Sequence, residues 1–187
     1  MPQPFAARST SLLGKTNAAG KVDHLPGFND LGHKWMMAAS SSSLWLDQKQ
    51  GISVTYVDTT QSSNTASSLN DQTTYTTIGS LKQTTTMGVS TPLDSHPGLF
   101  NWRGAGWLRM VSAQWEVVGF GTIKGGDSLV LVVAAAKTLF SPQGLSVYYR
   151  EGHPISGEDV DWVKNGIREL DDPVLTAEVD LRQYSYV

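Results

Sequence analysis

From residue 35 onward the chain is built of short apolar or threonine-rich segments separated by turn signals. Ile52-Ser-Val-Thr-Tyr-Val57 alternates with a period of two, placing Ile52, Val54 and Tyr56 on one face of a strand. Asp71 to Ile78 forms a Thr-rich segment around Tyr75, broken by Gly79-Ser80. Leu81, Gln83, Thr85, Met87 and Val89 make a further period-two series. Pro92 and Pro97 bracket a loop holding Asp94, Ser95 and His96. Leu99–Arg103 and Trp107–Val111 flank Gly104-Ala105-Gly106, where a bulge or tight bend is expected. Trp115–Phe120 predicts a strand, and the hairpin loop after it runs over 122–127. Ser128–Phe140 is strongly β-forming at its start, and Leu145–Glu151 follows the turn at Pro142-Gln143-Gly144.

One segment has helical spacing. Val160, Val163, Ile167 and Leu170 form an apolar stripe over about 157–170. Ser156 stands at the N-cap position with Asp159 three residues on, a capping-box arrangement, and Ile155 and Val160 are placed as a hydrophobic staple. Asp171-Asp172-Pro173 ends the helix, and Ala177–Leu181 predicts a short last strand. Serial strands with hairpin connections and a single late helix point to an antiparallel barrel or sandwich, not to a parallel βαβ sheet. Residues 1–27 read as an irregular leader or a wrap across one end of the domain, and 28–187 as one domain.

Composition narrows the function. Charged residues make up only 17% of the 187, the net charge is −3, and no Lys/Arg-rich run occurs, so the footprint of a nucleic-acid binder or of a polybasic membrane tether is missing. There is no cysteine, which excludes disulfides, thiolate catalysis and Cys-based zinc sites. The run Leu129–Ala136 is far too short to span a bilayer. No secretory h-region is seen in the first thirty residues, so the expected compartment is the cytoplasm, with a mature secreted form the other option.

Three segments resemble the lipocalins, in particular their bacterial-type and apolipoprotein-D-like branch. Asp30-Leu-Gly-His-Lys-Trp-Met-Met-Ala-Ala39 resembles the opening Gly/Trp motif, with Gly32 and Trp35 one residue further apart than usual. Leu145-Ser-Val-Tyr-Tyr-Arg-Glu-Gly-His-Pro154 resembles the last barrel strand, and Pro154-Ile-Ser-Gly-Glu-Asp-Val160 the start of the family helix. The family's middle Thr-Asp-Tyr motif has no counterpart. The resemblance implies an all-β, eight-stranded antiparallel up-and-down barrel with one C-terminal helix packed outside. It also implies that Arg150 stacks on Trp35 as a barrel-end pair, and that function lies in an apolar cavity.

Within such a barrel, the aromatic side chains on candidate strands are the ligand-contact set: Tyr56, Tyr75, Trp102, Trp107, Trp115 and Tyr149, with Met87. Each of them equally suits plain core packing. Of Tyr148 and Tyr149 only one points inward, and Tyr149 is the expected one. The four histidines, His24, His33, His96 and His153, lack metal-ligand spacing, so no metal or cofactor is expected. Tyr149, Arg109, His96 and Asp94 are the candidate catalytic groups, and an inward Arg103 or Arg109 would anchor an anionic ligand. Nucleophile elbows and phosphate-cradling loops are missing. The expected function is binding of a small hydrophobic molecule (lipid, terpenoid or polyketide-like) by a carrier or sequestering protein, monomer or homodimer. The alternative is a cofactor-independent isomerase or cyclase acting on a natural-product intermediate in the same cavity. An ionisable group in the lumen would favour the second, a wholly apolar lumen the first.

Overall fold

The computed structural model describes residues 5–8, 10, 25–46, 48–59, 68–94, 96–123, 127–139 and 141–183. The chain runs β1 (Ala6–Ala7), α1 (Phe28–Leu31), β2 (Lys34–Ser40), α2 (Ser43–Leu46), β3 (Lys49–Asp58), β4 (Leu69–Thr77), β5 (Gln83–Pro92), β6 (Leu99–Gly104), β7 (Ser112–Thr122), β8 (Leu129–Ala135), β9 (Gly144–Arg150), α3 (Gly157–Arg168), α4 (Pro173–Glu178) and β10 (Arg182–Gln183). Strands β2 to β9 pair antiparallel with their sequence neighbours, and β9 returns to β2, so the sheet closes into an eight-stranded up-and-down barrel. Closure removes the exposed edges that an open sheet of this length would present.

Two strands outrun one neighbour, and the chain's ends cover the exposed stretches. The first half of β7 pairs with β6, whereas Gly119 and Phe120 pair with Ala7 and Ala6 of β1. The open end of β2 is likewise paired with β10, Arg182 opposite Ser40. Within the expected leader, Ala6–Ala7 is therefore a strand of the sheet. Much of the rest, with His24, lies outside the described residues, as do most of the Thr59–Asn70 stretch and the tip of the 122–127 hairpin.

The core has two layers. Inside the barrel, Trp35, Met37, Ile52, Val54, Tyr56, Leu69, Phe100, Trp115, Val117, Leu131, Val133 and Tyr148 pack together. Outside, Val118, Val130, Val132, Ala134, Leu145, Val147 and Tyr149 pack under Val160, Val163 and Ile167 of α3 and Leu175 of α4. This explains why β8 and β9 are apolar on both faces: one face fills the lumen and the other seats the helices. The α3 cap forms as its sequence predicts. Ser156 Oγ accepts from the Asp159 amide at 3.2 Å, and the Asp159 carboxylate accepts from the Ser156 amide at 2.7 Å.

Three element assignments are corrected. Trp107–Val111 forms no strand; a 3-10 turn spans Gly106–Leu108, because β6 ends at Gly104, whose α-carbon lies under the Leu108 backbone with no room for a side chain. Residues 173–178 are helical instead of leading into a strand, because the Asp172 carboxylate caps the amides of Val174 and Leu175 and Pro173 fits the first helical turn. The final strand begins at Arg182 instead of Ala177.

The N-terminal segment clamps helix to barrel. Phe5 meets Trp162 of α3 edge-to-face, ring centroids 5.5 Å apart. Arg8 forms a 2.7 Å ion pair with Glu116, and Thr10 Oγ1 donates to the same carboxylate at 2.8 Å. Both ionic side chains are largely buried, and burial pulls the Arg8 guanidinium below its ordinary pKa although Glu116 opposes it. Glu116→Ala is expected to cost about 3 kcal/mol or more, since it strands Arg8 without a counter-ion, whereas Arg8→Met/Glu116→Leu recovers most of that loss. Urea unfolding of the single and double variants measures the coupling; strictly additive losses would sink this account.

Candidate functional site

The strand register sorts the barrel into two ends. Helix α1, the β3–β4, β5–β6 and β7–β8 connections, and the end of β9 lie at one end; the β2–β3, β4–β5, β6–β7 and β8–β9 connections lie at the other. The first end is filled. Trp35 is fully buried, its Nε1–H donates to the Leu31 carbonyl at 2.9 Å, and its ring meets Phe120 edge-to-face at 6.3 Å. The middle of the barrel is crossed by an aromatic stack: Trp115 lies on Phe100 with centroids 4.2 Å apart and on Tyr56 at 5.4 Å.

Above this floor a cavity of about 300 Å³ opens at the second end. Trp45, Tyr75, Trp102, Leu108, Trp115 and Ala135 give its apolar walls. Thr73, Thr86, Ser42 and Ser146 add hydroxyls. Lys49 stands at the mouth. Its ammonium lies 5.4 Å from the Trp45 ring centroid and 5.2 Å from that of Tyr75, and it donates to the Leu44 carbonyl. This is the geometry of a cation held between aromatic faces.

Directly beneath the wall lies a buried carboxylate. Asp71 points inward from β4 opposite Gly88, with only 6% of its surface exposed. Its Oδ1 accepts from Trp102 Nε1 at 2.7 Å and its Oδ2 from Ser90 Oγ at 2.8 Å; Ser90 Oγ in turn accepts from Trp115 Nε1 at 2.9 Å. The two indoles lining the cavity are thus fixed from behind by one acid and one serine. Burial raises the Asp71 carboxyl above its ordinary pKa, and the two hydrogen bonds offset part of that rise. Burial also pushes the Tyr56 and Tyr148 phenols up, with the charge of Asp71 adding to both.

Of the seven expected contact residues, Tyr75, Trp102 and Trp115 line the cavity, and Tyr56 stands beneath it, stacked on Trp115 without lining it. The other three are corrected. Met87 is 55% exposed on the outer face of β5. A Cβ on its neighbour Gly88 would sit 2.1 Å from Trp102 Nε1, so the inner face of β5 carries small and polar residues to admit that ring, and the apolar series faces solvent. Trp107 lies 84% exposed on the β6–β7 loop. Tyr149 lies outside the barrel beneath α3, and Tyr148 is the inward one. Trp35 pairs with Arg150, and residues paired across a ladder share a face, so Tyr148, two residues before Arg150, shares the lumen side with Trp35.

The expected catalytic groups do not converge on the cavity. Asp94 and His96 stand exposed on the β5–β6 loop, at the filled end of the barrel. Arg103 and Arg109 point outward, Arg103 Nε donating to the Arg109 carbonyl at 3.1 Å. Arg150 lies across the strand pair from Trp35, but among the described residues the cations over rings are those of Lys49, and Trp35 is instead flanked by His33 and Phe120. Among the described residues no His/Cys/Asp/Glu group could hold a metal. Sequence reasoning passed over Trp45, Lys49 and Asp71. Asp71 had a signal, since it shares strand parity with Tyr75, which was already expected to face inward.

No family model and no curated protein sequence matches the chain. Solved structures do. Apocrustacyanin C2 superposes with a TM-score of 0.57 at 8% identity, covering 100% of this chain and 93% of its own. Lobster apocrustacyanin A1 gives 0.54 at 9% identity, covering 100% and 91%. At this identity the likeness is one of fold: the chain is a lipocalin-like barrel. No helix among the described residues is long and apolar enough to cross a membrane.

The buried carboxylate has a pH signature. Because its folded pKa is raised, the folded chain holds this proton more tightly than the unfolded one. The Asp71 contribution to stability therefore falls as pH rises from the ordinary carboxyl pKa through the raised one. Asp71→Asn lacks this term and still offers an acceptor to Trp102. In urea unfolding, the variant is expected to gain on the wild type as the pH rises above the ordinary carboxyl pKa of about 4. A difference that stays constant with pH would contradict the assignment.

Proposed function

We propose that this barrel takes up one small hydrophobic molecule through its open end and holds it, as a carrier or sequestering protein. The observation that carries this reading is the cavity of about 300 Å³, walled by Trp45, Tyr75 and Trp102 above an aromatic floor of Trp115 stacked on Phe100. That volume is at the lower end of the roughly 300–1,000 Å³ typical of small-molecule sites, which favours a compact ligand. Flat aromatic walls suit a ring-bearing or conjugated terpenoid or polyketide-like molecule. Lys49 at the mouth suits an acidic or enolic head group on it. The segments 30–39 and 145–154 are our grounds for placing the chain near the bacterial-type and apolipoprotein-D-like branch within this fold, and the cytoplasm is the compartment we assign.

One observation favours a second reading, a cofactor-independent isomerase or cyclase. The Lys49 ammonium faces the cavity beside two aromatic rings, where it would stabilise negative charge developing on an enolate while the walls hold the substrate folded. Asp71 lends less to this reading than its burial suggests. Both its oxygens are engaged behind the wall, so it positions Trp102 and, through Ser90, Trp115.

Native mass spectrometry against a lipid, terpenoid and polyketide extract, followed by LC–MS of the extract, separates the readings. A species bound at one per chain and returned unchanged is expected. Turnover of one component into an equal-mass isomer by sub-stoichiometric protein would replace the carrier with the enzyme. Ala113 lines the cavity on the same face as Trp102, so Ala113→Phe is expected to fill it and weaken binding at least about tenfold without unfolding the chain. Undiminished binding by this variant would place the ligand elsewhere.

A further inference from the structure

The open end of the barrel is apolar on its outside as well as within. Each of three successive loops around the mouth exposes large apolar side chains. The β4–β5 loop carries Ile78 and Leu81, Leu81 fully exposed; the β6–β7 loop carries Trp107 (84%) and Met110 (82%); the β8–β9 loop carries Leu139 (96%). None of these packs in either core layer. Single exposed apolar residues such as Val57 and Met87 elsewhere on the barrel are ordinary, but among the described residues the five most exposed large apolar side chains all stand at this one end, which marks an interaction surface.

Charge identifies the partner. The same loops hold Lys82, Arg109 and Lys137, with Lys49 and Arg103 at the adjoining strand ends, and residues 78–82, 105–111 and 136–139 contain no acid. Glu178 and Asp180 stand towards this end only on the α4 side, where Ser41 and Gln143 donate to the Glu178 carboxylate. Asp47, in the fourth loop, lies outside the described residues. Among the described residues the filled end has the opposite character, with Asp30, Asp58, Asp94, Asp127 and Glu151 against Lys34 and Arg150, besides the paired Arg8 and Glu116; Lys124 lies outside the described residues. Interleaved bulky apolar and basic side chains, an exposed tryptophan among them, fit the interface of an anionic bilayer, where indoles sit at head-group level and cations meet lipid phosphates and carboxylates.

We propose that the barrel docks mouth-down on anionic lipid surfaces through the rim formed by Ile78, Leu81, Trp107, Met110 and Leu139 with Lys82, Arg109 and Lys137. Docking in this orientation turns the acidic end away from the membrane and brings the cavity mouth to the level of the acyl chains. The inference stands on the rim alone and does not need the cavity to hold a particular ligand.

The test is co-sedimentation of the full chain with vesicles of phosphatidylcholine, alone or with about one third phosphatidylserine, at about 0.1 M and about 1 M salt, across which the screening length falls from about 10 Å to about 3 Å. Binding is expected to the phosphatidylserine vesicles at low salt, weakening at least about tenfold on phosphatidylcholine or at high salt. Leu81→Ser/Trp107→Ser/Leu139→Ser is expected to lose vesicle binding while keeping the wild-type melting temperature, since all three side chains lie outside the core. Lys82→Gln/Arg109→Gln/Lys137→Gln is expected to lose only the preference for phosphatidylserine. Ala113→Phe is expected to bind vesicles normally, which separates this proposal from the cavity reading. Failure of the wild type to bind either vesicle, or equal binding by the Ser variant, overturns the proposal. So does a dimer in sedimentation velocity that the Ser variant dissolves, because the rim would then be covered by a second copy.

Discussion

The contact on which the cavity depends is between Trp102 and the strand beside it. The indole of Trp102 lies across β5 at Gly88, where no side chain would fit, and ends on the Asp71 carboxylate one strand further on. Three strands are thereby tied through their inward faces, β6 to β5 to β4. Ser90 joins the same acid to Trp115, so the wall and the floor share one hydrogen-bond hub. A charged acid in a barrel lumen is costly unless its oxygens are satisfied. Here they are met by an indole N–H and a hydroxyl, not by a cation. The cost of burying Asp71 is offset by what it orders: two large rings fixed in orientation on the face where a ligand would sit.

That ordering explains the unequal filling of the two ends. Below the hub, Phe100, Trp115 and Tyr56 stack across the barrel, and Trp35 with Phe120 fills what remains. Above it, the positions on neighbouring strands are small: Thr86, Ala113, Ala135 and Ser146. The cavity is therefore the space left where Ala, Ser and Thr face one another, bounded by rings that cannot swing into it. Outside, α3 and α4 cover β8 and β9, and the N-terminal segment joins α3 to β7 through Phe5, Arg8 and Thr10. The helices stiffen one side of the barrel, and the loops of the other sides reach the mouth uncovered.

How much of this was legible in the sequence follows from what each residue had to report. Helix α3 was legible because cap, staple and stripe agree, from Ser156 and Asp159 through Val160, Val163 and Ile167. Barrel closure was legible through the serial strands together with the resemblance of segments 30–39 and 145–154. Facing was not. On β5 the apolar alternation of Met87 and Val89 points outward, because the inner face had to stay small for a ring donated by another strand. On β9 both faces are buried, so hydrophobicity carries no information about direction and only the ladder register separates Tyr148 from Tyr149. Asp94 and His96 were candidate catalytic groups by residue type alone, and only strand order places their loop at the filled end, away from the cavity.

The criterion of an ionisable group in the lumen needs refining in view of Asp71 and Lys49. Asp71 is inside the barrel but behind the indoles, with both oxygens engaged, so it acts on a ligand only by holding Trp102 and Trp115 still. Lys49 faces the cavity, yet it is positioned by Trp45, Tyr75 and the Leu44 carbonyl at the mouth, where a head group enters. A cation at the entrance and an apolar, immobile interior form a gradient along the barrel axis. The outer rim continues that gradient with Lys82, Arg109 and Lys137 among exposed Leu81, Trp107 and Leu139. The cations are scattered along the chain, which is why no basic run is visible in the sequence. Hairpin connectivity gathers them at one end, so a property of the surface arises from strand order and not from local composition.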